Sequence, residues 1–183
     1  NDVAHSQDVA ETLPMIVDCA SGIADDQIRN RGTVGGSIAE ADPSGDWAAT
    51  LLTLDAQLKC QGPDGERILE LDDFFEDAFS TALESNEMIT EVIVDVPPES
   101  TGGAFMAFKR SPQVYASASV GARLTMDGDR CVEAGIALGC VGLSTIEATE
   151  AEQELEGSEV DDDAIESAAD AARVAAEPPR SSG

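Results

Sequence analysis

Apolar residues recur at spacings of three and four through residues 8–23, with Met15, Ile16, Cys19 and Ile23 on one face. This periodicity predicts an amphipathic helix. Pro14 is the awkward position, and it can mark a first helical residue with the helix starting near Leu13. Gly22 and the pair Asp25-Asp26 close the segment, and a short turn or helix over 27–31 leads into a glycine-rich stretch. A second stripe, Trp47, Leu51 and Leu54, predicts a helix over 47–54. The period then changes to two. Residues 57–61 and 67–71 read as strands joined by the hairpin turn Gly62-Pro63-Asp64-Gly65. Phe74, Phe75 and Phe79 predict a short helix over 71–78 that packs its rings inward. Residues 87–96 alternate Met88, Thr90, Val92, Val94 and Val96 against Ile89 and Ile93. That pattern predicts a mostly buried strand, ended by Pro97-Pro98.

Prolines, glycines and hydroxyls crowd residues 97–103, which makes this the best domain boundary and divides the chain into 1–98 and 99–183. Beyond it, residues 104–110, 116–126 and 131–141 read as strands, the last two joined at Asp127-Gly128-Asp129 as a hairpin. Two helices are expected next, one over 144–156 capped by Gly157, the other over 161–176 and stopped by Pro178-Pro179. Strands followed by helices give an α+β order, with helices on one face of an antiparallel sheet.

Composition changes the picture in two ways. The 183 residues carry 10 Lys+Arg against 37 Asp+Glu, a formal charge of −27, and the lysines are Lys59 and Lys109 alone. Self-repulsion of that size destabilises a compact state at low salt and is relieved by screening. Acid excess with lysine scarcity on a globular pattern points to a halophile's cytoplasmic protein, and it disfavours binding to a nucleic-acid backbone. No apolar run approaches the ~20 residues of a membrane span, and the polar, acidic start lacks a signal-peptide pattern. Secondly, Cys19, Cys60, Cys131 and Cys140 are widely spaced in apolar surroundings, and His5 is the sole histidine. No zinc or iron–sulfur spacing results, and no Ser/His/Asp or Cys/His set for nucleophilic catalysis.

The candidate chemistry lies in Ile28-Arg29-Asn30-Arg31-Gly32-Thr33-Val34-Gly35-Gly36-Ser37-Ile38-Ala39 and the following Ala41-Asp42-Pro43-Ser44-Gly45-Asp46-Trp47. Paired glycines admit close approach of a ligand or φ > 0, and successive free N–H groups make a concavity for anions. Thr33 and Ser37 add hydroxyl donors, while Asp42 and Asp46 are acceptors for ribose or ribityl hydroxyls. Asp42 can instead cap a helix with Pro43 as its first residue. Arg29 and Arg31 can complement a pyrophosphate or pin the loop through carboxylates, and the acid excess favours pinning. A Gly-rich structural turn is the competing reading of the whole stretch.

This run resembles the second flavin-contacting motif in the FAD-binding subunit of molybdenum hydroxylases, the xanthine dehydrogenase and aerobic carbon monoxide dehydrogenase family. The similarity continues through Phe108-Lys109-Arg110 and Tyr115-Ala116 to the C-terminal helices. It implies the second lobe of a two-lobed FAD-binding fold, followed by the C-terminal domain of the flavin subunit. The implied cofactor is FAD, contacted by Thr33, Val34, Gly35, Gly36, Ser37, Asp42 and Asp46. Lys109 would approach the pyrimidine edge of the flavin, and Tyr115 would lie on its ring face. The implied role is electron transfer within a hetero-oligomer, with no catalytic residue and no metal ligand on this chain. A large partner subunit would hold the molybdenum cofactor and a small one the [2Fe-2S] clusters. The family's first lobe, with its own Gly-Gly loop, has no counterpart here, so the expected site is partial. Other readings are a cofactor-free remnant, a partner-docking module, or another flavin-dependent reductase of the same fold.

Overall fold

The computed structural model describes residues 1–111 and 113–176. Helices α1 (Gln7–Thr12) and α2 (Pro14–Gly22) replace the single helix expected over 8–23. Leu13 takes φ −141° and ψ 63° between them, so Pro14 starts the second helix where its missing N–H costs nothing. Met15, Ile16, Cys19 and Ala20 are the buried face of α2. Three short helices follow: α3 (Asp26–Arg29), α4 (Val34–Glu40) and α5 (Asp46–Leu52), the last buried along its whole length.

Strands β1 (Gln57–Gly62), β2 (Gly65–Glu70) and β5 (Met88–Ile93) form an antiparallel sheet in the order β2-β1-β5. The expected hairpin closes between Gly62 and Gly65, and Gly65 supplies φ +131°. The helix expected over 71–78 is absent. In its place β3 (Phe75–Asp77) pairs with β4 (Ser80–Thr81), and only Phe74 of the three rings is fully buried. Phe79 takes φ +58° at the ribbon's turn and stands 65% exposed, while its N–H donates to Ala41 O at 2.9 Å. Strand β5 also differs from expectation, because Met88, Thr90 and Glu91 lie exposed and only one side packs inward.

The second sheet is β6-β7-β8-β9, all antiparallel: β6 (Thr101–Phe108), β7 (Ala118–Asp127), β8 (Arg130–Gly139) and β9 (Ile146–Glu147). The β7–β8 hairpin turns at Gly128, with φ +62°. Residues 146–147 were expected to be helical but extend the sheet, Ile146 opposite Leu138, so α6 (Thr149–Leu155) starts later than its periodicity suggested. Helix α7 (Asp162–Ala175) begins on Asp161, whose carboxylate accepts the N–H of Ala164. The Pro178-Pro179 stop lies outside the described residues.

Alternation along β8 builds two cores. Ala134, Ile136 and Leu138 face α6 and α7, as the α+β reading expects. Gly135, Ala137 and Gly139 face the other way, where α2 and α5 close the sheet. A Cβ on Gly135 would stand 2.6 Å from the carbonyl oxygen of Thr53, just past α5. The absence of that methyl is what lets helix and sheet backbones meet.

Arg123, buried on β7, donates to Thr53 O at 2.9 Å and bridges Asp55 and Glu133. Burial pushes the carboxyls of Asp55, Glu147 and Glu152 above their usual range and neighbouring acids push them further, against the opposing pull of Arg123 on Asp55 and of the Ile136 N–H on Glu152. A folded-state value above the unfolded one means stability is lost as pH rises through that window and regained as it falls. Glu87 runs oppositely, held low by its hydrogen bonds from Arg67, but it is one group against three. At ~10 mM salt, where the Debye length is ~30 Å, the melting midpoint should therefore be higher at mildly acidic pH than at neutral pH. Molar KCl should raise it at both values and flatten the difference. A midpoint falling steadily with acidification would show that these carboxyls do not govern the fold's pH response.

Candidate functional site

Thr33 caps α4, its hydroxyl oxygen accepting the N–H of Gly36 at 3.0 Å. The glycine pair therefore lies in the first turn of a helix rather than in a φ > 0 turn, and this corrects the sequence expectation. Gly36 is glycine for the sake of the cap, since a Cβ there would stand 2.7 Å from Thr33 Oγ1. Gly35 packs on Ile89 of β5. Among the described residues, the Val34 and Gly35 N–H groups have no acceptor within the chain.

The helix stops at Ala41, in left-handed geometry with φ 51°. Asp42 then accepts the N–H of Ser44 at 2.9 Å in an Asx turn, and Gly45 N–H donates to Asp42 O at 2.9 Å. Helix α5 begins on Asp46 with Gly45 at its cap, so neither Asp42 nor Pro43 starts a helix. The Asp42 carboxylate instead lies near Tyr115 and pushes that phenol above its usual range. Tyr115 itself is 69% exposed.

Asp46 and Lys109 meet across the fold. Lys109 Nζ donates to Asp46 Oδ2 at 2.5 Å and to Gly22 O at 3.1 Å, and both side chains are almost wholly buried. The second oxygen, Asp46 Oδ1, is buried with no hydrogen-bond partner. Beneath them burial pushes the Cys19 thiol up to about 12, so it is an inert packing group.

A cavity of about 600 Å³ opens over this pair. Its wall brings together Thr33, Val34, Ser37, Asp46, Lys109 and Tyr115, whereas Gly35, Gly36 and Asp42 are not on it. Trp47, Ile28 and Asn1 also line it and were not anticipated as site residues. Trp47 and Ile28 read as ordinary apolar positions, and nothing near Asn1 marks it in sequence. Arg29 pins the loop: Nη1 donates to Ile23 O at 2.6 Å, Nε to Asn1 Oδ1 at 3.1 Å and Nη2 to Asp26 at 2.6 Å. Among the described residues, no group of His, Cys, Asp or Glu side chains is arranged to hold a metal, and no helix is long and apolar enough to cross a membrane.

Comparison with known proteins bears on what this cavity holds. Residues 1–97 match the family model described as the FAD binding domain in molybdopterin dehydrogenase, and residues 103–183 that of the CO dehydrogenase flavoprotein C-terminal domain. The carbon monoxide dehydrogenase medium chain of Afipia carboxidovorans is 38% identical over 160 residues, covering 87% of this chain and 56% of that one. The nicotine 6-hydroxylase medium subunit of Paenarthrobacter nicotinovorans is 35% identical, over 92% of this chain and 59% of its own. The solved carbon monoxide dehydrogenase of Hydrogenophaga pseudoflava superposes with a TM-score of 0.95 at 36% identity, over 98% of this chain and 63% of that one. The chain thus spans about three fifths of the length of these relatives.

Proposed function

Because the chain belongs to the FAD-binding medium subunits of the molybdopterin dehydrogenase family, alongside those of carbon monoxide dehydrogenases, we propose that its cavity is the FAD site of an electron-transfer subunit. The observation that carries this reading is the cavity over Asp46 and Lys109, where an unpartnered buried oxygen and two open amides stand on or beside one wall. That donor and acceptor set fits a dinucleotide with an anionic centre and a polar-edged ring. FAD, when bound, supplies the reversible electron chemistry. The protein's share is binding and orientation. The amides of Val34 and Gly35 and the hydroxyls of Thr33 and Ser37 hold anionic oxygens, and Asp46 holds a hydroxyl. Lys109 stands at a polar ring edge, and Tyr115 covers a ring face. Residues 1–98 form the second FAD lobe in this reading and 99–183 the C-terminal domain.

Membership supports a wider reading. A large subunit carries the molybdenum cofactor, a small one carries [2Fe-2S] clusters, and electrons reach an external acceptor through this chain. The acid-rich surface suits a halophile's cytoplasm.

The 183-residue chain holds only part of the site and should carry little FAD when purified, so titration with excess FAD in molar KCl should quench flavin fluorescence only weakly. Gly36→Val should abolish most of that quenching, since its side chain displaces the capping Thr33 hydroxyl and shifts the loop. No quenching by the wild-type chain, or an undiminished effect in a folded Gly36→Val protein, would defeat the proposal.

A further inference from the structure

With 10 basic residues among 37 acidic ones, a cation that lacks a carboxylate is the exception in this chain. Among the described residues, Arg29, Lys59, Arg67, Lys109, Arg123 and Arg173 each bridge an acid. Arg31, Arg110 and Arg130 bridge none, and of these three Arg31 is the one on the cavity wall. Its backbone is fixed, since its N–H donates to Ile28 O at 3.0 Å. Its exposed guanidinium makes no hydrogen bond to any described residue, whereas Arg29, two positions earlier, makes four. The wall holds two carboxylates, Asp2 and Asp46, and Lys109 neutralises the latter.

We propose that Arg31 is an anion-binding residue of this cavity, donating its guanidinium fork to the pyrophosphate of a dinucleotide flavin. The proposal rests on the reading of the cavity as an FAD site. A guanidinium matches phosphate oxygens two at a time, and its charge is never lost. A doubly anionic ligand approaching a protein of charge −27 needs such a cation where it lands. The loop-pinning role expected of both arginines therefore belongs to Arg29 alone.

The test compares wild type, Arg31→Ala and Arg31→Lys as full chains in molar KCl, each titrated with FAD and with riboflavin, which has no phosphate. Arg31→Ala should weaken FAD about tenfold, the weight of one charge-assisted contact at an open site. Its riboflavin affinity and melting midpoint should not move, and Arg31→Lys should recover part of the loss. Equal FAD affinity in wild type and Arg31→Ala overturns the proposal. So does a parallel loss of riboflavin, or a lowered midpoint, because either makes Arg31 structural. If wild type binds no FAD at all, the FAD reading fails and takes this proposal with it.

Discussion

Lys109→Ala should destabilise the fold by about 3–5 kcal/mol, the usual effect of removing one partner from a buried ion pair. Asp46 has nowhere else to turn. Its Oδ1 is already without a partner, and losing Lys109 would strip Oδ2 as well, leaving a nearly buried carboxylate with no partner on either oxygen. Gly22 O, the other acceptor of the ammonium, would lose its donor at the end of α2. Urea denaturation in molar KCl measures the effect. The double variant Asp46→Leu, Lys109→Met should recover most of the loss, because an apolar pair leaves no buried polar group without a partner. A single variant within ~1 kcal/mol of wild type would place the pair with ordinary surface bridges.

Gly135→Ala should destabilise by about 2–3 kcal/mol, the overpacking expected when a methyl is forced into a filled contact. The obstacle is backbone. Thr53 O would lie 2.6 Å from the new Cβ, and that same oxygen accepts Arg123 Nε at 2.9 Å. Moving it disturbs the bridges from Arg123 to Asp55 and Glu133. Gly102→Ala on β6 is the matched control, with nothing within 4 Å of its added Cβ. Its effect should stay within ~0.5 kcal/mol. Equal midpoints for the two variants would mean that the α5–sheet contact gives way without loss.

Both features were beyond the reach of sequence, and for one reason: their partners are distant. Asp46 and Lys109 lie 63 positions apart, and each taken singly read as a ligand to FAD rather than as a ligand to the other. Local signals served better. Gly62-Pro63-Asp64-Gly65 and Asp127-Gly128-Asp129 mark hairpins because turn chemistry is decided within four residues. Patterns that satisfy two structures at once were misleading. Asp42-Pro43-Ser44 suits a helix start and an Asx turn equally, and the turn won because α4 ends immediately before it. Phe74, Phe75 and Phe79 suit a helix face, but the core admits only Phe74. The glycine motif was legible as a place, while its helical conformation was not, since two adjacent glycines argue against a helix on propensity alone.

The closing of the second sheet by α2 and α5 also bears on how the chain is made. Helix α5 ends at Leu52, and the strand it rests on is complete only at Gly139. At ~5–20 residues per second of synthesis, roughly 4–17 s separate the two. Through that interval Trp47, Leu51 and their neighbours emerge from the ribosome with their covering strands not yet made. Native pairing across so long a loop is also slow to form. The nascent N-terminal half therefore exposes this apolar surface until β8 arrives, with its acid excess opposing self-association in the meantime.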